Sequence, residues 1–157
     1  NEHALKFSAD YLLSDRKFVL QAVKEQARVL QFVANDFKRD REFVLQAVAK
    51  NGLCLEFVAD DLKEDREIVM LAITGEGRAL QFAANDLKSD PEFVLQATMQ
   101  SGCALEFVPD SFKADESFVM QVISRDVQAL EFAADYLKGN RDFVMQAIMY
   151  DGRALEF

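Results

Sequence analysis

The apolar positions of this chain come in a fixed order that returns every 25 residues, with no insertion or deletion. The segment Asp40-Arg-Glu-Phe-Val-Leu-Gln-Ala-Val48 recurs as Asp90-Pro-Glu-Phe-Val-Leu-Gln-Ala-Thr98 and as Asn140-Arg-Asp-Phe-Val-Met-Gln-Ala-Ile148. Phe43, Val44, Ala47 and Val48 stand at i, i+1, i+4 and i+5, a spacing that gathers them on one face of a helix. Asp15, Asp40, Asp65, Asp90, Asp115 and Asn140 precede that face as N-caps. Pro91 falls at the first helical position, where its missing N–H is no loss. Glu42, Glu67 and Glu92 follow in the first turn, at the favourable end of the helix dipole. The pattern predicts that each such helix ends near Gly52, Gly77, Gly102 and Gly152 in a left-handed cap. Ala27 and Val127 replace that glycine in two copies and require another way of closing the turn.

A second, shorter helix is predicted over Leu53-Cys-Leu-Glu-Phe-Val-Ala59 and its equivalents. Pro109 disfavours helix at Val108 and stops that element at about Phe107. The rest, such as Asp60-Asp-Leu-Lys63, then forms a separate turn or short 3₁₀ piece. Asp60 or Asn85 is placed to cap it, and Leu62, Leu87 or Phe112 to plug it into the core.

A period of this length means small units that rest on their neighbours, because isolated helices under about 12–15 residues are marginal in water. The predicted fold is all-α, an α-solenoid of tandem 25-residue two-helix repeats. Residues 1–157 read as one array: a partial repeat 1–14, repeats 15–39, 40–64, 65–89, 90–114 and 115–139, and a partial repeat 140–157. Both limits fall inside a repeat, so the expectation is a segment of a longer array. Its ends, with the Phe7 and Phe157 faces, would be covered by further repeats or a partner subunit.

The unit D-R-E-F-V-L-Q-A-V-x-x-x-G-x-A-L-E-F-A-x-D-x-L-K, with the motif Asn51-Gly-Leu-Cys-Leu-Glu-Phe57, resembles a known family. That family is a short helical repeat catalogued as a domain of unknown function, found in tandem arrays in algae, protists and some intracellular bacteria. The resemblance runs over essentially all of residues 4–157 and implies a helical array serving as an interaction module. It brings no catalytic residues. Leu71 in place of Gln, Pro109 in place of Ala, and Ala27 and Val127 in place of Gly depart from the pattern.

Composition narrows the function. Half of the residues are hydrophobic, enough for a sizeable core. The net charge of −9 disfavours general binding to nucleic acid or anionic membranes. No apolar run approaches the ~20 residues of a membrane span, so no direct insertion is expected. Cys54 and Cys103 lie in apolar runs and read as small buried thiols, which favours a reducing intracellular setting, cytoplasm or organelle. His3 is the single histidine, so neither a zinc set nor a Cys/His or Ser-His-Asp arrangement can be assembled. No phosphate loop or calcium loop is present. Neither a cofactor nor a metal is expected.

Several recurring residues are candidates for partner contact. Gln21, Gln46, Gln96, Gln121 and Gln146 stand just before the buried Ala, at the edge of the apolar stripe. They fit either a ladder joining repeats or a polar row on a binding face. Arg16, Arg41, Arg66 and Arg141, with Lys38, Lys63, Lys88, Lys113 and Lys138, form either a basic ridge or local ion pairs with the nearby aspartates. Glu56, Glu106, Glu131 and Glu156 read as a solvated helix face. Tyr11 and Tyr136 are either interface anchors or packed on a neighbouring turn. Lys50, Gly75, Gln100, Arg125 and Tyr150 vary between repeats near the end of the first helix and suit specificity.

The reading these features favour is a non-catalytic scaffold that mediates protein–protein interaction. An alternative is a permanent structural or accessory subunit of a larger protein complex, organellar assemblies included. An enzyme built on a pair such as Glu106 and Asp110, or a helical RNA reader, fits less well: no repeat departs sharply to host chemistry, and the charge opposes RNA.

Overall fold

In the computed structural model the backbone is described from Asp10 and the side chains from Leu12, in both cases to Phe157. His3, Phe7 and the Tyr11 side chain lie outside the described residues. All regular structure among the described residues is helical. The chain forms two compact units, residues 1–84 and 85–157, and their boundary falls within the repeat 65–89.

Each repeat opens with an α-helix. These opening helices are Arg16–Glu25, Arg41–Lys50, Arg66–Gly75, Pro91–Gln100, Glu116–Ile123 and Arg141–Tyr150. Their N-caps are the residues the periodicity names. The side-chain oxygens of Asp15, Asp40, Asp65, Asp90, Asp115 and Asn140 accept from amides two or three residues on. Capping satisfies N–H groups that the helix itself leaves unpaired.

The second element differs in kind from an α-helix. It is a 3₁₀ segment, six residues long at Ala27–Phe32, Gly52–Phe57, Gly77–Phe82, Gly102–Phe107 and Val127–Phe132. With three residues per turn, side chains at i and i+3 eclipse. Gly52, Leu55 and Val58 accordingly share one buried edge, as do Gly102, Leu105 and Val108. The 3₁₀ segment before Pro109 ends at Phe107, where proline was expected to end it.

The glycines do not cap the opening helices. Among the described residues none has a positive φ. The residue before each of Gly52, Gly77, Gly102 and Gly152 is extended instead, and the glycine starts the 3₁₀ segment. Gly52 is there because a Cβ would collide with the carbonyl oxygen of Ala72 in the next repeat. A Cβ on Gly102 would meet the Asp126 carboxylate, a side chain rather than backbone. Ala27 and Val127 begin their 3₁₀ segments at the same register.

A connector completes the unit: Asp10–Leu13, Asn35–Arg39, Asn85–Ser89, Asp110–Lys113 and Asp135–Lys138 are short α-helices, and Asp60–Glu64 is 3₁₀. Asp60 does not cap it, and Asn85 is likewise the first residue inside its segment. The preceding residue, Ala59, has no side chain to accept with. Leu87 and Leu137 plug into the core as expected, whereas Leu62 and Phe112 are half-buried. The ring of Phe37 lies 4.8 Å from that of Phe43, and Phe112 5.2 Å from Phe118, so a connector also packs on the next opening helix.

Stacking explains why such short elements hold. In residues 1–84 the helix Arg41–Lys50 packs between Arg16–Glu25 and Arg66–Gly75, while Gly52–Phe57 packs between the 3₁₀ segments on either side. In residues 85–157, Glu116–Ile123 lies against Pro91–Gln100 and Arg141–Tyr150. This is the arrangement of an α-solenoid. Phe43, Phe93 and Phe143 are fully buried, as are Leu30, Leu55, Leu80, Leu105 and Leu130 to within 1%. Each buried side chain of that size contributes about 1.5–3 kcal/mol. One backbone bond also recurs between repeats: the N–H groups of Ala59, Ala84 and Ala134 donate to the carbonyls of Lys38, Lys63 and Lys113, each at 3.0 Å. Pro109 holds this register without an N–H and cannot make the bond.

Candidate interaction groove

Polar side chains on the opening helices either join repeats or face solvent, and the structure separates the two groups. Arg16 and Arg41, at the second position, join. Nη1 of Arg16 donates to Oδ2 of Asp40 at 2.6 Å, and Nε of Arg41 to Oδ2 of Asp65 at 2.8 Å. Arg41 also bonds Glu67. Arg16 further lies over the Phe43 ring, 5.2 Å from its centre. The phenylalanine amide and the Arg16 guanidinium hold Asp40 below the ordinary carboxylate range, and the Arg41 guanidinium does the same for Asp65. The lysines of the connectors are absorbed as well. Lys63 bonds Asp60 at 2.9 Å, Lys113 approaches Asp110 at 3.6 Å, and Lys38 donates to the Gln31 carbonyl at 3.0 Å. Arg16 and Arg41 are thus taken up in pairs between repeats, and Lys38, Lys63 and Lys113 in contacts within them.

The glutamines do not join. Gln21, Gln46, Gln96, Gln121 and Gln146 are exposed. Gln46 donates to Glu42 at 3.4 Å, Gln96 to Glu92 at 3.5 Å, and Gln121 to the Ser117 carbonyl at 3.3 Å, in each case one turn back on the same helix. A ladder between repeats is thus not what these bonds form. The side chains lie at the helix surface because their position borders the apolar stripe without entering it.

Three of the candidates meet in one groove. Gln121, Gln146 and Tyr150 line a cavity of about 450 Å³ between Glu116–Ile123 and Arg141–Tyr150, together with Glu116, Ser117, Met120 and Ser124. The last four were not singled out by the sequence. The signal for two of them is that Glu116 stands where Arg16, Arg41, Arg66 and Arg141 stand in other repeats, and Ser117 where Glu42, Glu67 and Glu92 do. Glu116 itself lines the groove.

The remaining candidates lie elsewhere. Lys50 lines a smaller cleft of about 260 Å³ with Asn51, Gly52 and Glu76. Gln100 and Arg125 are exposed at or beyond the ends of their helices. Tyr136 is 60% exposed and its hydroxyl donates to the Ala114 carbonyl, so the ring is tethered to a neighbouring turn while one face stays in solvent. Glu106 and Asp110 are both exposed, with Asp110 facing Lys113. Among the described residues no set of three or more His, Cys, Asp or Glu is arranged to hold a metal ion, and no helix is long and apolar enough to cross a membrane.

Charge divides unevenly between the units. Residues 1–84 carry twelve Lys and Arg against fourteen Asp and Glu, while residues 85–157 carry six against thirteen. The groove therefore sits in the half that holds most of the net negative charge.

The family model "Domain of unknown function (DUF4116)" matches residues 40–83, 65–113 and 115–157. Each match takes in most of two 25-residue repeats. No match is found among curated proteins or among solved structures.

Proposed function

The chain belongs to the DUF4116 family, and on that premise we propose that it is a non-catalytic scaffold whose opening helices bind other proteins. The observation that carries this reading is that the recurring glutamines are exposed. Gln46, Gln96, Gln121 and Gln146 recur at one register, yet their hydrogen bonds return to their own helix or to none that joins repeats. Building the stack does not require them. A surface amide offers both donors and an acceptor to a partner, and neighbouring repeats packed within one unit, such as those of Gln96, Gln121 and Gln146, present several such groups on a preformed surface. The groove at Gln121, Gln146 and Tyr150 adds relief to that surface.

The test is affinity capture with two variants of the same chain. One carries Gln46→Ala, Gln96→Ala, Gln121→Ala and Gln146→Ala; the other carries Glu56→Ala, Glu106→Ala, Glu131→Ala and Glu156→Ala on the 3₁₀ segments. The expected result is partner loss with the first set only. Loss with the second set alone would move the binding surface to the other elements. Partners that survive high salt at fixed stoichiometry would identify a permanent subunit of a complex.

A further inference from the structure

The groove between Glu116–Ile123 and Arg141–Tyr150 differs in chemistry from the junctions that precede it in the chain. Where Arg16 and Arg41 reach the capping aspartate of the next repeat, Glu116 occupies the arginine's register and the next cap is Asn140, a neutral carboxamide. The paired exchange is consistent physically, since an aspartate at 140 would set two carboxylates together. Oδ1 of Asn140 still caps its helix, accepting from Asp142 at 3.0 Å and Phe143 at 3.2 Å. Among the described residues no ion pair involves Glu116.

The hydrogen-bonding capacity left in the groove favours acceptance. Nε2 of Gln121 donates to the Ser117 carbonyl, and the Ser124 hydroxyl donates to the Gln121 carbonyl at 2.7 Å. The Oε1 of Gln121, the lone pairs of Ser124 and the carboxylate of Glu116 remain to receive protons. Met120 is half-buried in the lining and offers methylene and thioether surface, and Tyr150 supplies an aromatic ring that is 58% exposed. The nearest arginines by sequence, Arg125 and Arg141, are not among the lining residues.

We propose that this groove receives a lysine or arginine side chain from a basic segment of a partner protein. An ammonium or guanidinium carries donors and no acceptor, which complements an acceptor-rich lining. Its aliphatic stem lies along Met120, its charge reaches Glu116, and the Tyr150 ring flanks it as a cation–π partner. The excess of acids in residues 85–157 steers such a segment toward this half of the chain. The proposal rests on the reading of the opening helices as a docking surface and gives that surface a ligand chemistry.

The experiment is an NMR titration of the isotope-labelled chain with three blocked octapeptides that alternate alanine with lysine, glutamine or glutamate. The lysine peptide is expected to shift the amides of residues 116–124 and 146–150, with affinity reduced about fivefold by Glu116→Gln. Glu116→Arg, which restores the arginine of the other repeats, should remove the effect. Glu116 is exposed, so neither change threatens the fold. Shifts that are equal in the parent and Glu116→Gln, that fall on the acidic connectors at Asp110 and Asp135, or that are missing altogether would overturn the proposal. If the glutamine peptide alone moves the groove amides, the docking surface stands and its cationic ligand does not. If peptides move only amides outside the opening helices, both fail.

Discussion

Asp65 binds two repeats with one carboxylate. Its Oδ1 accepts from the amides of Glu67 and Ile68 at 3.0 and 3.3 Å, which caps its own helix, while Oδ2 receives Nε of Arg41 from the repeat before. Asp40 does the same with Phe43 and Arg16. Helix initiation and repeat stacking are thereby coupled at one residue. Asp65→Ala should lower stability by about 1–2 kcal/mol, from the lost cap and the exposed pair together. Asp65→Asn keeps an accepting oxygen for the cap and should lower it by about 0.5 kcal/mol. Urea unfolding of the two variants checks this order; equal losses would contradict it.

The same carboxylates give the fold an acid limit. Asp40 and Asp65 titrate below the ordinary aspartate value of 3.8 in the folded chain. A depressed folded value means that the unfolded chain takes up protons first as pH falls. Their contribution is therefore complete above the ordinary value and is lost as pH falls through it toward the folded value. The thermal midpoint should decline from about pH 5 downward, and the double variant Asp40→Asn, Asp65→Asn should flatten that decline. An unchanged slope in the double variant would place the acid sensitivity elsewhere.

Two glycines should respond in opposite directions to the same substitution. A Cβ on Gly52 meets the Ala72 carbonyl, whereas one on Gly75 meets nothing within 4 Å. Gly52→Ala should destabilise by about 2 kcal/mol, because backbone in the next repeat has to move. Gly75→Ala closes the helix Arg66–Gly75 with a better helix former and should stabilise by about 0.5–1 kcal/mol. Thermal unfolding of both variants, measured side by side, reads out the signs directly.

Burial pushes the Cys54 thiol up to about 12, while Cys103 is partly exposed beside the Ser101 hydroxyl at 3.2 Å. The thiolate is the reactive form. Iodoacetamide at pH 8 should therefore label Cys103 and leave Cys54 unmodified until the chain is unfolded, as mass spectrometry would show. Early labelling of Cys54 in native buffer would mean that the 3₁₀ layer opens readily.

The opening helices were legible in the sequence because cap and apolar stripe agree at every repeat, with a first-turn acid in all but the repeat that opens at Asp15. Pro109 also marked the end of its second element correctly. The 3₁₀ character of that element was not legible: Gly52, Leu55 and Val58 repeat every three residues, but one or two turns of that spacing look the same as i, i+3 contacts on an α-helix. The role of Gly52 was hidden for a related reason, since what crowds it comes from Ala72, twenty residues on. The groove was only half legible. Gln121, Gln146 and Tyr150 stood out by recurrence or by variation at one register, whereas Glu116 and Ser117 mattered as departures whose effect depends on how Arg16 and Arg41 bridge other repeats.

The central claim, that partners dock on the opening helices, is tested most directly by placing a photo-crosslinking amino acid at Gln121 or at Glu131. Both sites are exposed, one on an opening helix and the other on a 3₁₀ segment. In extract of the source cells, irradiation should join partner proteins to position 121 and not to position 131. Crosslinks confined to position 131, or equal at the two, would contradict the account.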